Sequence, residues 1–240
     1  MNNDLFVRSV TLNRDKVPSF EEYPFCVAAI RNMDSVEFTS RVTFLVGENG
    51  IGKSTFIEAL AVCLGMNAEG GSQNFSFSSR DTTSSLHDYL TVSRLGRPVT
   101  RYFLRAETFY NVSSEIENLQ VEKAYGGSLH SRFHGEAFLQ LVQQRFYEGG
   151  LFLLDEPESA LSPVRQMTLL CEINRLAQAG SQFIIATHSP ILISYRDGVI
   201  LDMNEGFRQV SYRDTEIYKM YRLYLDNPEL MQHRLFEEEK

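Results

Sequence analysis

The sequence has no tryptophan, few cysteines and no long apolar run. Its three cysteines, Cys26, Cys63 and Cys171, are widely spaced among 240 residues, which excludes a clustered metal site or a disulfide framework. We expect them to be core thiols. No apolar segment approaches the length that a membrane span requires, and the polar start at residues 1–4 is not typical of a signal peptide. These absences predict a cytoplasmic protein that has no membrane contact.

An excess of positive charge is also absent. The formal net charge is -8 and the pI is near 5.2, which argues against a broad surface for polyanions. A local basic patch is not excluded, so nucleic acid stays open as a partner. Residues 65–130 contain neither a heptad run nor a long charged helix. At 43% hydrophobic residues the chain can form one large domain or two small ones, and we favour a single domain over 1–240.

A glycine-rich stretch at residues 47–55 carries the strongest chemical signal. It reads G-E-N-G-I-G-K-S-T and fits the phosphate-binding pattern G-x-x-x-x-G-K-[ST]. The glycines let successive backbone N–H groups point at one anion, while Lys53 reaches the outer phosphates and Ser54 offers a hydroxyl to Mg²⁺. A strand-like run precedes the stretch and a helical pattern follows it, which disfavours a chance glycine turn. The predicted nucleotide contacts are Gly47, Asn49, Gly50, Gly52, Lys53, Ser54 and Thr55.

An acidic pair and a histidine follow two further strand-like runs. Four apolar residues at 151–154 are typical of a strand buried on both faces, and Asp155 and Glu156 come directly after them. Asp155 can hold Mg²⁺, and Glu156 can orient or deprotonate the attacking water. His188 follows the run 182–187, where it can contact the γ-phosphate or the water. The competing interpretations are an ordinary acidic turn and a structural histidine.

The N-terminal segment predicts an antiparallel layer beside the phosphate loop. Runs at 5–12, 25–30 and 36–38 are rich in strand-forming residues. Such a layer could cover the adenine side of a nucleotide, with Arg8, Arg31 or Asn32 as candidate contacts. The alternative is a solvated strand edge.

Residues 65–130 are less regular. The Gly-, Ser- and Asn-rich run 65–86 predicts a long loop, in which Gln73 and Arg80 either sense the nucleotide or face solvent. A strand is predicted at 98–104 and an exposed helix at 112–122.

The remaining segments complete an α/β pattern. A helix at 137–146 is headed by Gly135, whose position leaves backbone N–H groups open as a second anion site. A helix at 162–179 has its apolar face at Val164, Met167, Leu170, Ile173 and Ala177. A strand at 199–203, a hairpin partner at 207–212 and helices at 215–225 and 228–238 follow. We predict that the inner face of the helix at 215–225 is formed by Ile217, Met220, Tyr221 and Tyr224.

The order of these motifs resembles the ATP-binding-cassette (ABC) ATPase superfamily. The motifs are the glycine loop, H-G-E at 134–136, L-F-L-L-D-E-P at 151–157 and T-H-S-P at 187–190. The resemblance is to the side of the superfamily that includes structural-maintenance-of-chromosomes-like (SMC-like) and overcoming-lysogenization-like ATPases, and more narrowly to small stand-alone bacterial ATPases. It runs essentially from end to end. It implies an α/β P-loop NTPase of the ABC ATPase type, with a mostly parallel core sheet flanked by helices, an N-terminal antiparallel β layer and a helical signature subregion at about 65–146.

The resemblance also implies roles for individual residues. Lys53 and Ser54 would contact phosphate and Mg²⁺, Asp155 would be a second Mg²⁺ contact, Glu156 the catalytic base and His188 the switch histidine. Residues 159–162 would form the D-loop, which crosses a dimer interface. Gly135 would belong to the signature helix that completes the site of the other subunit. The implied cofactors and partners are ATP, Mg²⁺, a second copy of the chain and a protein effector.

One residue departs from the pattern of the relatives. They carry a small hydroxyl residue where this chain has Phe133, and Ser131 lies two residues upstream. The departure affects dimer closure or hydrolysis and not the binding of ATP within one subunit. The glutamine of the Q-loop is not identifiable in this sequence.

The motifs favour an ATPase that dimerises head-to-tail on ATP and drives or gates a partner, in DNA repair, mobile-element biology or phage defence. The alternative is a hydrolysis-poor, nucleotide-gated scaffold or regulator of an effector. A transport cassette is a weaker interpretation because the signature differs and no membrane segment accompanies it. A P-loop kinase is weaker still, since it would not need the H-G-E and T-H-S-P elements.

Overall fold

Five parallel strands form the centre of the larger sheet. The computed structural model describes residues 5–68, 70–72, 84–106 and 134–237. The sheet has the order β10-β9-β3-β8-β7-β6-β4, in which only the outermost strands, β4 and β10, pair antiparallel with their neighbours. The strands of this sheet are β3 (Val42–Val46), β4 (Gly71–Ser72), β6 (Arg101–Arg105), β7 (Leu151–Asp155), β8 (Gln182–Ala186), β9 (Val199–Asp202) and β10 (Arg208–Val210).

The three central strands are buried along their whole length. Every residue of β3, β7 and β8 is buried, as expected for a parallel sheet covered on both faces. In the ladder Leu45 and Asp155 both lie opposite Ala186, so these strands end at one level. The predicted α/β fold with a mostly parallel core sheet is confirmed, and the shared edge brings together the residues that follow each strand.

A second sheet confirms the predicted antiparallel layer but contains different strands. It has the order β2-β1-β5, with β1 at Val7–Leu12, β2 at Ser35–Glu37 and β5 at Leu90–Arg94. The strand predicted at residues 25–30 is wrong. That segment is a turn followed by the short helix α1 (Ala28–Arg31), because the N–H groups of Ile30 and Arg31 bond locally to the carbonyl of Val27.

Helices cover both faces of the larger sheet. The helix α2 (Lys53–Cys63) and the antiparallel sheet share one apolar core, while α3 (His134–Arg145) and α4 (Pro163–Gln178) share the other. The predicted face of α4 is partly wrong: Val164 and Met167 are exposed, and Leu169 and Leu176 are buried instead. The apolar residues of α4 outnumber those that one face can hold, so packing selects among them.

The chain ends in two helices with little burial. These are α5 (Glu216–Asp226) and α6 (Pro228–Glu237), and α5 has no buried residue. The predicted inner face of α5 is wrong for Met220, Tyr221 and Tyr224, which are all exposed. It holds for Ile217, which is half-buried and packs against the core shared by α3 and α4. An amphipathic pattern predicts that a face can be covered, but it does not specify that the same chain covers it.

The cysteines also differ from expectation. Cys26 and Cys171 are exposed, and only Cys63 is partly buried. Burial raises the pKa of the Cys63 thiol, whose Sγ donates to the carbonyl of His87 at 3.4 Å. The prediction of three core thiols is therefore wrong for two of them.

Several predicted features lie outside the described residues. They are Gln73, Arg80, the helix at 112–122, Ser131 and Phe133. Among the helices that the structure does describe, none is long and apolar enough to cross a membrane.

Candidate functional site

The glycine loop joins the end of β3 to the start of α2. Gly47, Gly50 and Gly52 have φ values of 150°, 80° and 108°, in the region that favours glycine. A Cβ atom on Gly52 would lie 2.6 Å from Cγ1 of Val27. The loop is therefore closed on one side by the turn before α1, the segment whose strand prediction is wrong.

Lys53 is held inside this loop. Its side chain is almost fully buried, and its Nζ donates to the carbonyl oxygens of Gly47 and Glu48, each at 2.9 Å. Burial lowers the pKa of Lys53, while the negative charges of Glu156, Asp155 and Glu158 oppose the shift. The ammonium group thus lies among carboxylates at the sheet edge, where a phosphate group would meet it.

Ser54 and Asp155 supply two oxygens that fit a magnesium ion. Ser54 is the second residue of α2 and Asp155 is the last residue of β7, and Ser54 Oγ donates to Asp155 Oδ1 at 3.2 Å. A hydroxyl and a carboxylate are hard oxygen donors, which Mg²⁺ prefers, and a site with two protein ligands leaves room for water and phosphate. The donor set therefore fits the ion that the motifs imply.

Glu156 and His188 lie side by side above the strands. Glu156 adopts a left-handed backbone at φ 49°, rare for a residue with a side chain, and its N–H donates to the carbonyl of Ala186 at 2.9 Å. The His188 Nε2 atom lies 3.8 Å from Glu156 Oε1 and makes no hydrogen bond to the described residues. Burial lowers the pKa of His188, the charge of Lys53 lowers it further and Glu156 opposes both. The lowered pKa favours the neutral form of the imidazole.

A cleft of about 270 Å³ opens beside these residues. Glu156 lines this cleft, and so do six of the seven predicted nucleotide contacts. These six are Asn49, Gly50, Gly52, Lys53, Ser54 and Thr55. Gly47, the seventh, lines a neighbouring cavity of about 200 Å³ with His188 and Met220. The cleft has room for phosphate groups next to the loop.

Tyr23 lines the same cleft and was not predicted from the sequence. Its hydroxyl lies 3.4 Å from Thr55 Oγ1, and its ring is largely exposed. The available signal was an aromatic residue just before the apolar run at 25–30. Of the predicted adenine contacts, Arg8 lines a different cleft, and Arg31 pairs with Glu21 at 2.9 Å. Asn32, the third, is the C-cap residue of α1 and does not line the cleft.

Glu158 connects the predicted D-loop to the histidine. It belongs to the short 3-10 helix Pro157–Ala160, and its Oε1 accepts the backbone N–H of His188 at 2.5 Å. Burial raises the pKa of Glu158, and the hydrogen bond from His188 opposes that shift. Glu158 ties the segment after β7 to the segment after β8, so Glu156 and His188 are held from both sides.

Arg105 is a further residue that sequence reasoning missed. It ends β6, opposite Asp155 in the parallel ladder, and pairs with Asp155 and with Glu58 of α2. Strand order could have revealed it, since the end of β6 lies at the same edge as the end of β7.

Gly135 lies in the first turn of α3. The next residue, Glu136, pairs with Arg165 in the first turn of α4, with Nη2 to Oε1 at 2.9 Å. The start of α3 is thus joined to the helix that follows the D-loop segment, and not to the glycine loop, within the part of the chain that the structure describes.

Two protein-family models match the chain. One, described as "AAA domain", matches residues 26–140. The other, described as "AAA domain, putative AbiEii toxin, Type IV TA system", matches residues 136–194. Together they extend over the glycine loop, Asp155, Glu156 and His188.

The chain is also similar to curated and solved proteins. An uncharacterized ABC transporter ATP-binding protein of Haemophilus influenzae is 24% identical over 229 residues, which covers 83% of this chain and 86% of that protein. A "putative metal-chelate type ABC transporter" in an inward-facing conformation has a TM-score of 0.45 at 18% identity, covering 75% of this chain and 76% of that one. The SMC head domain from Thermotoga maritima has a TM-score of 0.44 at 16% identity, covering 82% and 94%.

Proposed function

We propose that this chain, an AAA-domain ATPase of the ABC and SMC-like type, binds ATP with Mg²⁺ and hydrolyses it. The two matching family models, both described as AAA domains, support the resemblance seen in the motifs. The observation that carries the proposal is the convergence of Lys53, Asp155, Glu156 and His188 on the glycine loop at one edge of the parallel sheet.

Each side chain has a separate role in the proposed reaction. Lys53 and the loop N–H groups bind the phosphates, and Ser54 and Asp155 hold Mg²⁺, which when bound supplies charge neutralisation on the phosphate oxygens. Glu156 accepts a proton from the attacking water. His188, with a neutral ring beside Glu156, orients that water or the γ-phosphate. Tyr23, exposed at the cleft, stacks on the adenine base.

The proposed active form is a head-to-tail dimer. Ser159 and Ser162 of the D-loop segment are exposed, and Glu136 ties the start of α3 to the helix that follows. An exposed D-loop beside Gly135 is suited to meet the cleft of a second copy, with the open N–H groups of α3 facing its γ-phosphate. Each subunit would then complete the site of the other.

Dimer opening after hydrolysis would drive or gate a protein effector. We propose a role in DNA repair, mobile-element biology or phage defence. Nucleic acid remains an open partner. We further propose that residues 1–240 form one domain, with a signature subregion at about 65–146, and that the protein works in the cytoplasm.

The test is steady-state ATP hydrolysis by the wild type beside Glu156→Gln, with size-exclusion chromatography in ATP and Mg²⁺. Loss of the general base should lower the rate by about 10²–10⁴-fold and trap the dimer. Equal rates in both proteins would indicate a contaminant. ATP binding with neither hydrolysis nor dimerisation would overturn the switching ATPase and support the hydrolysis-poor scaffold, which Phe133 favours.

A further inference from the structure

We propose that Arg105 is a positioning residue for the magnesium site, acting with Glu58 on the carboxylate of Asp155. The inference rests on the proposed function, because it assigns a role toward the ion that ATP hydrolysis requires. Neither residue lines the phosphate cleft. Arg105 lies in the stretch 103–109, to which the resemblance extends, but the resemblance assigns a role to neither residue.

The side chains form a continuous chain of contacts. Arg105 Nε lies 3.1 Å from Asp155 Oδ2, and Arg105 Nη1 lies 2.9 Å from Glu58 Oε2. The other oxygen of Asp155, Oδ1, accepts from Ser54 Oγ at 3.2 Å. One carboxylate oxygen therefore forms an ion pair with the guanidinium, and the other accepts from the hydroxyl that would share the ion.

The backbone closes this chain of contacts into a ring. Glu58 follows Ser54 by four residues on α2, so both side chains project from one face of the helix. On the opposite side Arg105 pairs with Asp155 in the ladder, and the N–H of Ala106 donates to the carbonyl of Asp155 at 3.2 Å. Asp155 cannot rotate without losing a contact to either Arg105 or Ser54.

Charge explains why two residues are needed. The side chains of Asp155, Glu58 and Arg105 are 3%, 12% and 18% exposed. A buried carboxylate is costly without a counter-charge, so Arg105 stabilises Asp155 before any ion binds. A lone guanidinium would then repel a divalent cation. Glu58 offsets that charge, and the pair orients Asp155 as a neutral unit.

The experiment measures metal affinity separately from catalysis. Mn²⁺ binding in the presence of ATP is followed by electron paramagnetic resonance, and metal-free ATP binding by fluorescence of a methylanthraniloyl-ATP probe in EDTA. Removing an outer-shell partner of a metal ligand typically weakens metal affinity by about 10–100-fold. We expect that loss for Arg105→Gln, with metal-free ATP binding unchanged. Glu58→Gln should act in the same direction by a smaller factor.

Conservative and matched variants complete the test. Arg105→Lys keeps the charge but cannot bridge both carboxylates, so it should recover part of the Mn²⁺ affinity. Arg101→Gln is the control: it alters the same strand, where Arg101 Nη1 donates to the carbonyl of Leu64 at 2.8 Å. We expect it to keep wild-type Mn²⁺ affinity. If Arg105→Gln does not fold, Arg105→Lys and Glu58→Gln carry the test.

Two results would overturn the inference alone: wild-type Mn²⁺ affinity in the Arg105 variants, or an equal loss in Arg101→Gln. A wild type that binds neither ATP nor Mn²⁺ would overturn the proposed function, and this inference with it.

Discussion

The sheet edge and the start of α3 differ in how completely one chain builds them. At the edge, Lys53 and Asp155 already make short contacts within the chain, and the glycine loop is closed by Val27. At the start of α3, Glu136 contacts Arg165 near the surface, and this contact leads to α4 and not to the glycine loop. The proposed phosphate-binding half is thus preorganised, and preorganisation favours tight binding. For the proposed other half, at the start of α3, we propose that a second copy supplies the missing surface.

A mixture of two inactive variants gives the strongest test of whether the two halves of one site come from two copies of the chain. Lys53→Ala removes the phosphate-binding lysine, and Gly135→Asp puts a negative charge at the start of α3. Each alone should be nearly inactive. In a head-to-tail dimer that carries one of each, both defects fall on one site and the other site is intact. An equimolar mixture should therefore recover about a quarter of the wild-type ATPase rate.

The control is an equimolar mixture of the single variants Lys53→Ala and Glu156→Gln. Both changes damage the proposed phosphate-binding half, so no dimer in this mixture has an intact site. A Lys53→Ala and Gly135→Asp mixture that shows only the sum of the two separate rates would contradict the head-to-tail arrangement.

Substitutions at two glycines test what keeps the glycine loop in its conformation before nucleotide binds. Gly52→Ala combines a strained backbone with a methyl group 2.6 Å from Val27 Cγ1, whereas a Cβ on Gly50 meets no described atom within 4 Å. Strain at one such position costs about 1–3 kcal/mol and overpacking a similar amount, so Gly52→Ala should destabilise by about 2–6 kcal/mol. Gly50→Ala should cost only the strain. Urea unfolding without nucleotide measures both, and equal losses would show that closure by Val27 contributes nothing.

Tyr23 tests whether the cleft also prepares the base site. Stacking of a base on an aromatic ring contributes about 1–3 kcal/mol. Tyr23→Ala should therefore weaken ATP binding by about 5–150-fold, while Tyr23→Phe should keep the affinity because the ring remains. Tyr147→Ala, at another exposed tyrosine, is the matched control. Fluorescence titration measures the ATP affinity of all three variants. Unchanged affinity in Tyr23→Ala would show that the ring of Tyr23 does not contact the base.

The smallest expected effect concerns pH. Because burial lowers the pKa of His188 in the folded protein, the unfolded chain takes up this proton first as pH falls. His188 therefore favours folding above its unfolded pKa, near 6.5, and this contribution is lost between that value and the lower folded pKa. The free energy of unfolding should fall less steeply between pH 7 and 5.5 in His188→Gln than in the wild type. Urea unfolding at several pH values measures this, and parallel curves would show that folding leaves the pKa of His188 unchanged.

The sequence by itself determined the centre of the molecule. The glycine loop has a local backbone requirement that only its glycines meet, and Gly47, Gly50 and Gly52 adopt it. Continuous apolar runs such as 151–154 and 183–186 predict strands buried on both faces, since a half-exposed strand alternates apolar and polar residues. Parallel strands end at one edge, so the meeting of Asp155 with Ser54 follows from strand order and chain direction.

Only the tertiary structure decided which apolar faces are covered and which distant charges meet. The composition of residues 25–30 suits both a strand and a turn that leads into a helix, and local hydrogen bonds to the carbonyl of Val27 selected the turn. The apolar face of α5 was plain in the sequence, yet no residue of that helix is buried by the described part of the chain. Arg105 meets Glu58 across 47 residues because β6 pairs with β7 and α2 packs over that edge. An apolar residue favours burial but does not specify which residue will cover it. Contacts such as that between Arg105 and Glu58 therefore form only when the strands have taken their order in the sheet.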